Sequence, residues 1–534
     1  MEQFLATETL IIELLLIVSL VALAVRRLRI PYTVALVVVG LLITFQQPIG
    51  IDLTPELILS IFIPPLVFEA AFHLEFKSLR ANWIPIVALA VPGVLVTTFV
   101  VGGIVSWGVG ISLSSALVFG ALIAATDPVA VVSLFKALGA PKRLTTLVES
   151  ESLFNDGTAI VVFKLLVALA LSIAVIDTAE AAPPFDVLTA VVDFVRVAAG
   201  GLLIGVGLGW VIAQVIARVD DYLIETMLTT VLAFGSYLVA ERFHVSGVLA
   251  VVAAGIITGN IGLKGMSPTT RIVLFNFWEF LAFVANSLVF LLIGLDVNLR
   301  EIGSNIVPIG FALLGVLLSR ALVVYGLTAL TNLVSKEKVP FAYRHVLFWG
   351  GLRGAISLAL ALSLPVALAD RDLLRTMTFG VVLFTLLAQG TTMQFLMKRL
   401  GLGVAPELEL EYERRHGRLI AAQAALNRIE EMYRANLFSL TIWQQHEPEL
   451  QKQVDEALAA QNELLKEHPE LQHEEREDAL REGLNAQRSA LATMLSSGLI
   501  SDTVYEELVT EVDHAIEKIS REAKPGTLGT AINS

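Results

Sequence analysis

The stretch Glu149-Ser150-Glu151-Ser152-Leu153-Phe154-Asn155-Asp156-Gly157 sets three carboxylates, two hydroxyls and an amide at the mouth of a long apolar run, Gly157 to Val175. On a helix, Ser152 and Asp156 are four apart and share one face, while Glu151 and Asn155 share the adjacent face. Charge inside a membrane span is costly, and where it persists it marks an ion or proton path. The patch is therefore expected to bind a cation.

The rest of the chain must hold that patch in a membrane. Of its 534 residues 55% are hydrophobic and 16% charged, and the mean hydropathy is +0.74. So much apolar surface needs lipid to cover it. With no cysteine, disulfides, thiol catalysis and thiolate metal sites are excluded. Residues 1–400 are balanced, with 24 basic and 25 acidic side chains, whereas residues 401–534 carry 13 and 25. An acidic tail argues against binding nucleic acid or anionic lipid.

Apolar runs of spanning length recur at about 8–25, 31–46, 57–73, 84–107, 113–136, 151–175, 188–216, 222–241, 246–260, 273–296, 306–334, 343–367 and 374–397. The first follows Glu2 and Glu8 and precedes Arg26, Arg27 and Arg29, the reverse of a secretory signal, so it is expected to stay as a span. Alternate loops carry Lys77/Arg80, Lys136/Lys142/Arg143, Arg218, Lys264/Arg271, Lys336/Lys338/Arg344 and Lys398/Arg399. The intervening loops carry only Arg242, Arg300, Arg371 and Arg375, and the loop at 176–187 is acidic. The positive-inside rule then places the N-terminus outside and the tail in the cytoplasm. The expected fold is an all-α polytopic membrane protein of about thirteen transmembrane helices, residues 1–403, followed by an acidic helical cytoplasmic domain, 404–534.

Two runs break near the middle. The fifth reads Ala124-Ala125-Thr126-Asp127-Pro128-Val129, and the twelfth Gly350-Gly351-Leu352-Arg353-Gly354-Ala355. Proline removes a backbone donor and disfavours helix before it. Irregular backbone at membrane depth survives only against protein or a water-filled cavity. Broken spans in corresponding halves point to a transporter site. Seven spans separate them, an odd offset, so spans 1–6 and 8–13 read as inverted repeats. Asp127 would offset the positive ends of two facing half-helices and Arg353 the negative ends. A charge that balances a dipole need not touch substrate, and both readings stand.

Other charges sit inside the runs. Glu69, after Pro64-Pro65, reads as site-lining, because a carboxylate reaches less far to the interface than Lys or Arg. Arg320 in span eleven needs a carboxylate, and Glu151 is the natural partner, which leaves Asp156 to titrate. Glu279 reads as a packing or interface charge, Glu149 as a cytoplasmic rim charge, and Lys164 has no evident partner. Beyond Leu400, Pro448 and Pro469 are expected to divide residues 407–522 into at least three helices. Five of the eight histidines lie there (His416, His446, His468, His473, His514) and read as polar surface. Pro525 to Ser534 reads as disordered.

Taken together, Pro64-Pro65 with Glu69, Thr126-Asp127-Pro128-Val129-Ala130, Glu151 to Gly157, Arg320 and Gly350 to Ala355 resemble the signatures of the monovalent cation:proton antiporter-1 family. These are the NhaP-type bacterial proteins and the animal sodium/proton exchangers, and the resemblance covers roughly residues 8–400. It implies a homodimer, each protomer having a dimerisation part and a mobile core with two crossed broken helices. It implies that Asp156 alternately binds proton and Na+, with Glu69 and Ser152 adding side-chain oxygens and Thr126 a backbone carbonyl. It further implies that Asn155 stabilises the core beside the site and marks electroneutral exchange. Phe154 stands where relatives usually have Leu.

A carboxylate suits antiport because it is neutral with either proton or Na+ bound, and costly to move bare through apolar protein. The expected function is Na+/H+ exchange across the plasma membrane, with Li+ or K+ as alternative cations and no cofactor. A gated cation channel and an intramembrane hydrolase using Asp127 and Asp156 are the other readings. Against them stand the lack of a repeated filter-like segment and of a second carboxylate on the Asp156 helix face.

Overall fold

A computed structural model describes residues 2–28, 32–46, 58–176, 187–402 and 407–469 except positions 220, 264, 265, 267, 297, 298 and 336, then scattered positions from 476 to 495, and 497–522. Arg29, Lys264, Lys336, His473, the acidic loop at 177–186 and Pro525 to Ser534 lie outside the described residues. Every described element is helical. The chain divides into two compact units, Met1–Val404 and Ala405–Ser534.

Seven helices of the first unit are long and apolar enough to cross a membrane, among them Trp83–Val109, Lys142–Ile173, Thr270–Leu295 and Ile306–Val334. Shorter apolar helices include Tyr32–Phe45, Ile58–His73 and Gly247–Gly262. Numbered in chain order, the helices that build the site are α1 (Ile63–His73), α2 (Leu113–Leu122), α3 (Val129–Leu138), α4 (Lys142–Ile176), α5 (Pro268–Asp296), α6 (Ile306–Ala321), α7 (Phe341–Trp349) and α8 (Ala355–Leu362). Ser112 caps α2 by accepting from the Ser115 N–H at 3.2 Å, and Gly139, with φ +64, ends α3 in the left-handed region.

The fifth and twelfth apolar runs are each two half-helices, α2 with α3 and α7 with α8, and their irregular stretches meet. The Asp127 N–H donates to the Leu352 carbonyl at 2.8 Å. The Asp127 carboxylate accepts from the Val129 N–H at 2.9 Å and from the Ala355 N–H, so it faces the first amides of both α3 and α8. Negative charge there satisfies donors that helix geometry leaves without partners. Arg353, fully buried, donates from Nη1 to the Ala124 and Ala125 carbonyls at 2.7 and 3.1 Å, just past the end of α2. The end of α7 is served by a different arginine, since Arg320 Nε and Nη2 donate to the Leu347 carbonyl at 3.1 and 2.8 Å.

Arg320 also forms a two-pronged ion pair with Glu151, Nη1 to Oε1 at 2.7 Å and Nη2 to Oε2 at 3.0 Å, with both side chains buried. It thereby ties α4, α6 and α7 together. A Cβ on Gly351 would come within 2.6 Å of Arg320 Nε, and one on Gly354 within 2.1 Å of Asp127 Oδ2. Both glycines are needed because a charged side chain passes against the backbone at these points.

In the second unit, Glu407–Arg434 and Leu440–Glu467 pair through Arg415 Nη1 to the Ala460 carbonyl at 2.7 Å and around Tyr412, Leu464 and Leu465. Pro448 does not divide the region as its type suggested. It lies inside Leu440–Glu467, where proline removes one hydrogen bond but the helix resumes beyond it. Asp502–Glu522 is a further helix.

Two outcomes test this account. Gly354→Ala should lower the thermal midpoint of the purified protein by the equivalent of about 1–3 kcal/mol of overpacking, whereas Gly103→Ala, with nothing within 4 Å of its Cβ, should leave it unchanged. Glu151→Gln strands a buried guanidinium and should cost about 3–5 kcal/mol, read as early unfolding, with a smaller effect on Na+ affinity. The opposite ranking would make Glu151 a cation ligand.

Candidate functional site

Asp156 lies two turns into α4 from the cluster's start, level with the crossing, and is 7% exposed. The Thr126 N–H donates to its carboxylate, whereas its Oδ1 accepts no hydrogen bond. One turn back, the Ser152 hydroxyl donates to the Thr126 carbonyl at 2.5 Å and accepts from Thr126 Oγ1 at 3.2 Å. Helix breakage at Thr126 is what frees that carbonyl from the i+4 ladder and turns it toward α4. Asn155 Nδ2 donates to Thr126 Oγ1 at 3.3 Å and Glu151 Oε1 at 3.4 Å, which links the break to the Glu151–Arg320 pair.

Asp156, Ser152 and Thr126 line a cavity of about 70 Å³, together with Asp127, Glu149, Asn286 and Ser357, whereas Asn155 does not reach it. Asp156, Ser152 and Thr126 are therefore brought together. Asp127 also borders the cavity, with its carboxylate held by the two helix ends. Glu151, Arg320 and Arg353 are absent from the lining and serve one another and the helix ends instead.

Glu69 is not in this group. It lines a second, larger hollow of about 460 Å³ with His73, Glu75, Lys142, Glu149 and Glu279. His73 Nδ1 stands 3.3 Å from Glu69 Oε1. At the rim, Lys142 Nζ lies 2.6 Å from Glu75 Oε1, and the ammonium holds the Glu75 carboxyl below the usual carboxylate range. The two hollows share Glu149 and Asn286 among their walls, so the larger one is a vestibule leading to Asp156.

Three residues stand differently from their sequence reading. Glu149 is no rim charge: it borders the inner cavity as well as the vestibule. The signal was present, since positions 149, 152 and 156 share one helical face, and this also corrects the expectation that the Asp156 face holds no second carboxylate. Glu279 also lines the vestibule. Lys164 has a partner, Glu241, with oxygens at 3.1 and 3.2 Å, on a helix that sequence spacing could not place beside α4.

A carboxylate oxygen with no donor, next to a hydroxyl and a backbone carbonyl, is a set that a proton or a small hard cation can complete. Transition metals favour imidazole and thiolate, and among the described residues no group of three or more His, Cys, Asp or Glu is placed to hold a metal ion.

A profile of the sodium/hydrogen exchanger transmembrane family matches residues 14–399. The chain is 44% identical over 402 residues to the Na+/H+ antiporter ApNhaP of Aphanothece halophytica, covering 75% of each. It is 38% identical over 488 residues to the low-affinity Na+/H+ antiporter NhaS1 of Synechocystis, covering 90% of this chain and 91% of that one. Its fold matches the sodium proton antiporter MjNhaP1 of Methanocaldococcus jannaschii with a TM-score of 0.60 at 21% identity, over 75% of this chain and 99% of the other. The chain is an all-α integral membrane protein with several spans, and it belongs to the sodium/hydrogen exchanger family.

Proposed function

We propose that the protein exchanges Na+ for H+ across the plasma membrane, with Asp156 holding one or the other in turn. The observation that carries this is the Asp156 carboxylate itself: buried, reached through a vestibule, and with one oxygen that accepts no hydrogen bond. Bare, it would be a charge in an apolar setting; protonated or with Na+ it is neutral. Arg320 does not neutralise it, because Glu151 occupies that arginine.

In this reading Na+ is held by Asp156, the Ser152 hydroxyl oxygen and the Thr126 carbonyl. Glu69 faces the vestibule in the described conformation, so its place in the ligand set requires α1 and the crossed helices to shift relative to each other. Asn155 binds no cation and braces Thr126. Such a shift, moving the core past a dimerisation part within a homodimer, would supply alternating access. The loop charges favour an outside N-terminus and a cytoplasmic acidic tail, and in that orientation the vestibule, with Lys142 at its rim, would open to the cytoplasm.

Asp156→Asn should abolish Na+-driven proton movement in everted vesicles while the protein remains monodisperse and folded. Normal exchange by that variant would overturn the assignment, and the same assay with Li+ and K+ ranks the cations. Competition at one carboxylate gives a second outcome. A proton on Asp156 must leave before Na+ binds, so the Na+ KM should rise as pH falls, by up to about tenfold per unit. A KM indifferent to pH would require separate sites.

A further inference from the structure

We propose that Glu149 and Asn286 form a second, transient cation station at the neck between the vestibule and Asp156. The inference rests on the reading of Asp156 as the exchange site. Both residues line both hollows, Glu149 from α4 and Asn286 from α5. The vestibule of about 460 Å³ and the inner cavity of about 70 Å³ share six wall residues, Leu66, Ala70, Pro128, Val129, Glu149 and Asn286, of which only the last two bear polar side chains for an ion at the junction.

Asn286 carries the argument beyond a mere cluster of acids. It is 6% exposed, and its side chain makes no hydrogen bond with any described residue. A buried amide is ordinarily bonded, because an unmet polar group costs about 1–3 kcal/mol. This one borders a passage instead, where water or an ion can meet it. Its amide oxygen, like the Glu149 carboxylate, is a hard ligand of the type that replaces water around a monovalent cation.

Helix geometry makes this station separate from the exchange site. Glu149 and Asp156 share a face but differ by seven positions, a rise of roughly 10 Å. Glu149 and Asn286 reach the vestibule, whereas Ser152, Thr126 and Asp156 line the inner cavity alone. Ser152 lies between them on the same face and reaches the Thr126 carbonyl. The cation thus exchanges part of its water shell for Glu149 and Asn286 oxygens at the neck, then passes along the face to Ser152, Thr126 and Asp156. Glu149 offers a carboxylate ligand at the neck and Asn286 adds a ligand without adding charge.

The test uses the sidedness of the neck. Na+ dependence of exchange is measured in everted and in right-side-out vesicles for the intact chain, Glu149→Gln and Asn286→Ala. Each variant should raise the Na+ KM by about tenfold, the loss of one strong ligand, with Na+ supplied on one face only, the cytoplasmic face in the proposed orientation. With Na+ on the other face the KM should stay within about twofold, a difference too small to reflect a lost ligand. Wild-type KM on both faces, or an equal rise on both, would overturn the station. If Glu149→Gln gives no exchange, Glu149→Asp decides by the same criterion, because it keeps the charge one methylene short. Asp156→Asn, run alongside, reports separately on the exchange site: its loss of activity with an unaffected Glu149→Gln sinks the station alone.

Discussion

An ionised side chain in an apolar interior persists only where something opposes its charge, and that constraint arranges everything at the crossing of the broken helices. Arg320 meets Glu151 and the carbonyl end of α7. Arg353 meets the carbonyl end of α2, and Asp127 the amide ends of α3 and α8. Each of these charges meets a partner or a helix terminus, although Arg353 Nε itself donates to nothing. Asp156 has neither an ion-pair partner nor a helix terminus, only a single backbone donor and a bare oxygen. The other charges act on transport by leaving that one unanswered.

The breaks and the site are the same feature seen from two sides. An unbroken helix would use the Thr126 carbonyl in its own ladder, and there would be no facing helix ends for Asp127 and Arg353 to balance. Once the ladder is interrupted, the liberated groups need partners from elsewhere. Ser152 and Asp156 answer from α4, and Leu352 answers from the other break. Gly354 is where this economy of space is tightest, since Asp127 fills the place of its absent side chain.

What could be seen in the sequence were features with a local signature. Thr126-Asp127-Pro128 and the glycines around Arg353 announce broken backbone through their residue types alone, and an arginine deep in an apolar run demands an acid. Features that depend on which helices are neighbours were hidden. Lys164 and Glu241 are 77 positions apart, and nothing in either run signals the other. Glu69 sits in an apolar run as a ligand would, yet whether it faces the inner cavity or the vestibule depends on how α1 is rotated against α5. Pro448 misled for a related reason, because one missing hydrogen bond is a small loss in a helix held along its length by a partner.

Counting charges at the crossing bears on stoichiometry. Setting aside Glu149, which also faces the vestibule, Asp127, Glu151 and Asp156 contribute three negative charges, Arg320 and Arg353 two positive, so the group is left one short. Under the proposed exchange, one proton or one Na+ brings it to neutrality, and a core that moved would then drag no net charge across the apolar region. Asn155 is decisive in that count. It occupies the position beside Asp156, contacts Thr126 and Glu151, and holds the break in place while contributing no charge. A carboxylate there would leave the crossing two short, and neutrality would then require two cations or two protons. Under the proposed exchange, an amide standing where an acid would fit agrees with one-for-one stoichiometry, with the four remaining charges cancelling in pairs around it.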